Sequence, residues 1–140
     1  MDIEKLGQDI NENIKKLSDY KNKMDLLDEE VLNNLYELHE LYFKSLDIMG
    51  DLTADSSYIR DTAYIERKQL HARTMKEENG TVADKEASAE LKIRYYREQE
   101  RNANFVFQKY KLKYDTFSHK LYDIKVKRAN MERELQNTSK

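Results

Sequence analysis

Apolar side chains return every seven residues from the start of the chain. With Ile3 as position a, the later a sites are Ile10, Leu17, Met24, Val31, Leu38 and Ser45; the d sites are Leu6, Asn13, Tyr20, Leu27, Asn34, Leu41 and Ile48. Eleven of these fourteen are apolar or tyrosine. A stripe held in step over so many turns belongs to a helix lying along a partner, because 3.5 residues per turn keeps one line facing it. Ile14, Leu35, Tyr42 and Met49 at e widen the stripe and favour a bundle over a simple two-stranded seam. The spacing predicts a helix over residues 2–49. Asn13 and Asn34 fall on core positions, where an amide fixes register at some cost in stability.

Gly50 follows as a candidate left-handed cap, and residues 51–57 (DLTADSS) read as a loop, with Thr53, Asp55 or Ser56 able to cap the next helix. A shorter middle helix is predicted over 57–78, and Asn79-Gly80 is a stop signal. Thr81 and Asp84 have capping-box spacing and open a helix predicted over 82–136. Its d sites are Val82, Ala89, Tyr96, Ala103, Tyr110, Phe117, Ile124 and Met131. Its a sites Ile93, Phe107, Tyr114, Leu121 and Leu135 are interrupted by Glu86, Glu100 and Arg128. A second line, Leu91, Phe105, Leu112 and Val126, with His119 in step, runs along the opposite face. That face needs the middle helix, a second copy of the chain in a homodimer, or a different protein. The expected fold is all-α, one domain over residues 1–140: an elongated antiparallel helical hairpin or coiled-coil-like bundle of two long helices with a shorter middle helix.

Composition agrees. The 140 residues include no proline and three glycines, and 37% are charged, so little interrupts a helix. There is no cysteine, which removes disulfides, thiolate metal sites and thiol nucleophiles. The acidic, amphipathic start and the lack of a long apolar run point away from a signal peptide or membrane span and towards a cytoplasmic protein. The net charge of −2 is uneven: residues 1–50 carry six Lys against twelve Asp/Glu, and residues 81–140 carry fourteen Lys/Arg against nine Asp/Glu. The two halves either pair with each other or leave a basic face for nucleic acid.

Candidate chemistry is sparse. His39, His71 and His119 lie on different segments, and none has an acidic residue three positions before it, as di-iron bundles require. Asp28-Glu29-Glu30 is a carboxylate run whose side chains splay around a helix, so it reads as a charge patch. No catalytic, metal or cofactor residues are assigned, and an enzyme is not expected. The strongest non-core feature is the interval 109–128. Lys109, Lys111, Lys113, Lys120, Tyr122, Lys125 and Lys127 form a candidate interaction face, with further aromatic rings between the cations. Such mixtures hold single-stranded nucleic acid, yet Tyr110, Tyr114 and Phe117 fall on the seam, where burial would withdraw them. Tyr95, Phe105, Leu112 and Val126 are candidate exposed anchors for a protein partner.

The stretches 58–68 (YIRDTAYIERK) and 80–91 (GTVADKEASAEL) resemble small helical accessory or counter-defence proteins encoded in the early regions of tailed bacteriophages. The resemblance implies a phage or prophage origin and a bacterial host cytoplasm, and carries over no functional residue. Such proteins often act by occupying a larger machine, and some block CRISPR nucleases. The expectation is therefore a non-enzymatic interaction protein that docks on a nucleic-acid-processing machine and modulates or inhibits it, in an anti-CRISPR-like manner in one version. A single-strand-binding accessory in phage recombination or replication, and a structural coiled-coil assembly protein, are the alternatives.

Overall fold

The sequence folds into three helices: α1 (Ile3–Asp25), α2 (Leu32–Glu77) and α3 (Val82–Thr138). The computed structural model describes residues 2–138, is 92% helical, and contains no strand among the described residues. At a rise of about 1.5 Å per residue, α2 and α3 extend roughly 70 and 85 Å. They run antiparallel as one long hairpin.

Of the two long helices that the heptads predict, the second is found as α3 (Val82–Thr138), but the first is not: residues 2–49 are divided between α1 and the start of α2. No break occurs at 50–57, and α2 runs straight through it. The short polar side chains of that stretch satisfy themselves inside the helix: Thr53 Oγ1 donates to the Gly50 carbonyl at 2.8 Å, and Ser56 Oγ to the Leu52 carbonyl at 2.6 Å. Met49, Leu52, Ser56, Ile59 and Ala63, spaced by three and four, continue the buried line of Leu35, Leu38, Leu41 and Ser45. Small residues on this seam, with Ala89 and Ala103 opposite, let the two backbones approach closely.

The chain reverses earlier, at 26–31. Asp28 builds that turn: its carboxylate accepts from the Glu30 amide at 2.9 Å, and its carbonyl accepts from the Val31 amide at 3.2 Å and from Asn34 Nδ2 at 3.1 Å. Asn34 thus closes a turn instead of setting a register. Val31 is extended (φ −104, ψ 120) and starts α2. The heptad count passes through this reversal in step, so periodicity cannot see it. The short helix is therefore the first and not the middle one.

Both ends of the hairpin turn follow the sequence reading. Gly80 takes φ +120, open to glycine but rarely to other residues. The Asp84 amide donates to Thr81 Oγ1 at 3.1 Å while the Thr81 amide donates to Asp84 Oδ2 at 3.3 Å, a reciprocal capping box.

Helix α1 folds back into one of the two grooves of the hairpin. Leu6 and Ile10 join Met49, Leu52, Ile59, Ala103 and Tyr110 in one apolar cluster. Met24 joins Leu35, Leu38, Leu41 and Ile124 in a second. Polar interruptions of the α3 seam are used across the interface: Glu100 accepts from Arg67 Nε at 2.8 Å, and Arg128 meets His39.

Candidate interaction surface

The basic interval of α3 does not form one face. Lys109 and Lys113 lie on the flank turned to α1, where Ile14, Leu17 and Lys21 help them border a groove over Tyr110 and Phe117. Their ammonium groups stand 5.5 and 5.8 Å from the Tyr110 ring. Burial holds Lys113 below its ordinary pKa, and the like charges of Lys109 and Lys21 add to the effect. Lys120 and Lys127, on the same flank, are held by the turn before α2: Lys120 to Glu29 at 3.1 Å, Lys127 to Glu30 at 2.6 Å and to Glu29 at 3.8 Å. The carboxylate run thus pairs with the basic half within the chain.

Lys111 and Lys125 point to the other flank. Lys111 stands 5.7 Å from the Phe107 ring, and Lys125 borders a groove with Phe43, Asp47 and Tyr114. Tyr122, exposed, shares that side by its helical spacing from both, three and eleven residues away. The predicted face is two half-faces separated by the buried line of Tyr110, Leu121 and Ile124.

The predicted anchors Tyr95, Phe105, Leu112 and Val126 are all exposed. Phe105, Leu112 and Val126 lie with Leu91 on the outer face of α3, away from the seam. Tyr95 lies off that line and touches Tyr96 edge to face at 5.4 Å. Tyr110 is buried and Phe117 half-buried as the seam assignment requires, but Tyr114 is not: 41% of its surface remains exposed. Val82 and Leu135, also placed on the seam, are exposed near the helix ends.

Sequence reasoning missed the more organised feature, the second groove of the α2–α3 hairpin. Nothing among the described residues fills it. One end is bordered by Tyr36, His39, Glu40 and Phe43. The middle, a cleft of about 370 Å³, is bordered by Phe43, Leu46, Gly50, Tyr114 and Lys125 among others. It continues past Thr53, Phe107 and Lys111 to a notch between Arg60 and Arg101. Phe43 is 63% exposed there. The signal was present: Tyr36, Phe43, Gly50, Ser57 and Tyr64 are spaced by seven and form one line only if α2 is unbroken. At the Tyr36 end His39 is held below its ordinary pKa by burial, then by Arg128 and Lys125.

Among the described residues no group of three or more His, Cys, Asp or Glu is placed to hold a metal ion, and no helix is long and apolar enough to cross a membrane. No family model, curated protein or solved structure matches the chain, so its function is read from its own geometry.

Proposed function

We propose that the chain is a non-enzymatic helical interaction protein that docks through the open α2–α3 groove on a protein machine handling nucleic acid, and thereby modulates or inhibits it. One observation carries the reading. The α2–α3 seam has a groove on each side; α1 lies along part of one, while the other keeps Phe43, Tyr114 and Tyr36 exposed along a helical surface. Exposed rings at the centre of a long groove are anchors of the kind that dominate binding energy, and a helix of a partner fits such a groove as α1 fits the first.

Lys111 and Lys125 beside those rings are interleaved with Asp47, Asp51 and Asp115, so the groove offers charges of both signs with which a protein surface can pair. A phage or prophage origin, which the resemblance of 58–68 and 80–91 implies, would place that partner in a bacterial host. Direct strand binding is the weaker reading. Tyr110 is buried, and Lys120 and Lys127 are occupied by Glu29 and Glu30.

The test compares the wild type with Phe43→Glu, which changes an exposed position. Tagged wild type should retain a nucleic-acid-processing complex from a bacterial host, and adding it to that purified complex should change the complex's activity. Phe43→Glu should do neither while keeping the same helix content. Equal behaviour of the two proteins would refute docking through this groove.

A further inference from the structure

We propose that the notch at the tip half of the open groove binds a compact polyphosphate group, such as the triphosphate of a nucleotide. Arg60, Arg67, Arg97, Glu100, Arg101 and Asn104 line a cleft of about 540 Å³, within the range of about 300–1,000 Å³ usual for small-molecule clefts. Four arginines against one glutamate give the lining a net charge of +3. Guanidinium forks match phosphate oxygens bidentately, which lysines cannot do.

Two of the guanidiniums are already placed. Arg60 stacks 4.5 Å over the Phe107 ring and donates to Asn104 Oδ1 at 3.2 Å and Ser57 Oγ at 3.3 Å. Arg67 is held by Glu100 at 2.8 Å and lies 5.2 Å from the Tyr64 ring. Each guanidinium has five N–H donors, so both keep some for a ligand. The other two are available. Among the described residues Arg101 makes no hydrogen bond, ion pair or ring contact, and Arg97 meets Glu90 alone, at 3.2 Å. Glu90 and Asp61, which touch Arg97 and Arg60 from outside the lining, are 53% and 64% exposed, so solvent screens their competition with a bound anion.

The positive charge is also confined. Along the adjoining groove Lys111 and Lys125 face Asp47, Asp51 and Asp115, a net of −1. A strand needs a cationic track along its backbone; here the track ends beside Asn104. A short, densely charged anion matches this pattern and a long one does not.

Isothermal titration calorimetry of the full chain, at moderate salt, with inorganic tripolyphosphate and with adenosine triphosphate tests the assignment. Both should bind at one site per chain. Equal affinity would mean that only the phosphates are read, and tighter nucleotide binding that the base adds contacts. Arg97→Ala with Arg101→Ala should weaken both by about tenfold or more, since charge-assisted pairs are lost. Lys125→Ala should change neither, and the circular dichroism of all variants should match. The proposal fails if neither triphosphate binds at millimolar concentration, or if the double variant binds as well as the wild type. It fails too if an oligothymidine strand binds more tightly than the triphosphates and loses affinity equally in Lys125→Ala.

Discussion

Arg128 Nη1 lies 2.7 Å from His39 Nδ1, across the α2–α3 seam. Arginine has no acceptor, so Nδ1 must accept and the ring is the neutral tautomer with its proton on Nε2. The same guanidinium lies 4.9 Å over the Tyr36 ring, whose hydroxyl donates to Glu132. Among the described residues Arg128 Nε, though buried, has no hydrogen bond and reaches Glu132 Oε1 at 3.8 Å, so His39 and Glu132 together partner this charge.

A pH dependence follows. His39 titrates below its ordinary value in the folded chain, from burial first and the charges of Arg128 and Lys125 next. The unfolded chain therefore takes up this proton first as pH falls. The contribution is complete above the unfolded value of about 6.5 and is lost as pH drops from there towards the folded value. Urea unfolding should show stability declining as pH falls through that window. His39→Gln, which retains an acceptor but does not titrate, should flatten the decline; an unchanged slope would remove His39 as its source.

Gly50 separates the two descriptions of the chain's centre. As a left-handed cap it would resist a side chain; inside α2, a Cβ there meets nothing within 4 Å. Gly50→Ala should therefore stabilise the protein by about 0.5–1 kcal/mol in denaturant unfolding. A loss of stability would restore the loop.

Core and surface positions should differ sharply. Leu35 and Leu52 are both 0% exposed, whereas Leu112 is 69% exposed. Leu35→Ala or Leu52→Ala should cost about 2–5 kcal/mol. Leu112→Ala should stay within about 0.5 kcal/mol. Comparable losses from both classes would contradict the arrangement of the seam.

Ser45 and Ser56 are buried and bond to carbonyls of their own helix. Ser45→Ala removes donor and need together and should be close to neutral. Ser56→Leu must push α2 from its neighbours and should cost about 1–3 kcal/mol. Thermal unfolding of the pair checks this, and a stabilising Ser56→Leu would show spare room at the seam.

Helical content, the Gly80 stop and the Thr81–Asp84 capping box were legible in the sequence because each rests on local chemistry. The placement of the short helix was not. Asp28 makes its turn with a side-chain hydrogen bond that a heptad count does not weigh, and Ser56 has the composition of a loop but the spacing of a core. The candidate surface was legible in part. Exposed Phe105 and Leu112 follow from the second stripe, but the separation of Lys111 and Lys125 from Lys120 and Lys127 depends on where α1 packs. The notch depends on an unbroken α2 bringing Arg60 and Arg67 opposite Arg97 and Arg101.

Fluorescence anisotropy of the purified wild type with a labelled single strand, at about 0.1 M salt, tests most directly whether the chain works by docking on a protein. The basic half is divided between two flanks and partly paired to Glu29 and Glu30, and Tyr110 is buried. The account predicts no binding at low micromolar protein. A dissociation constant below roughly 1 μM that weakens steeply as salt rises, as release of counterions from several phosphates requires, would contradict it.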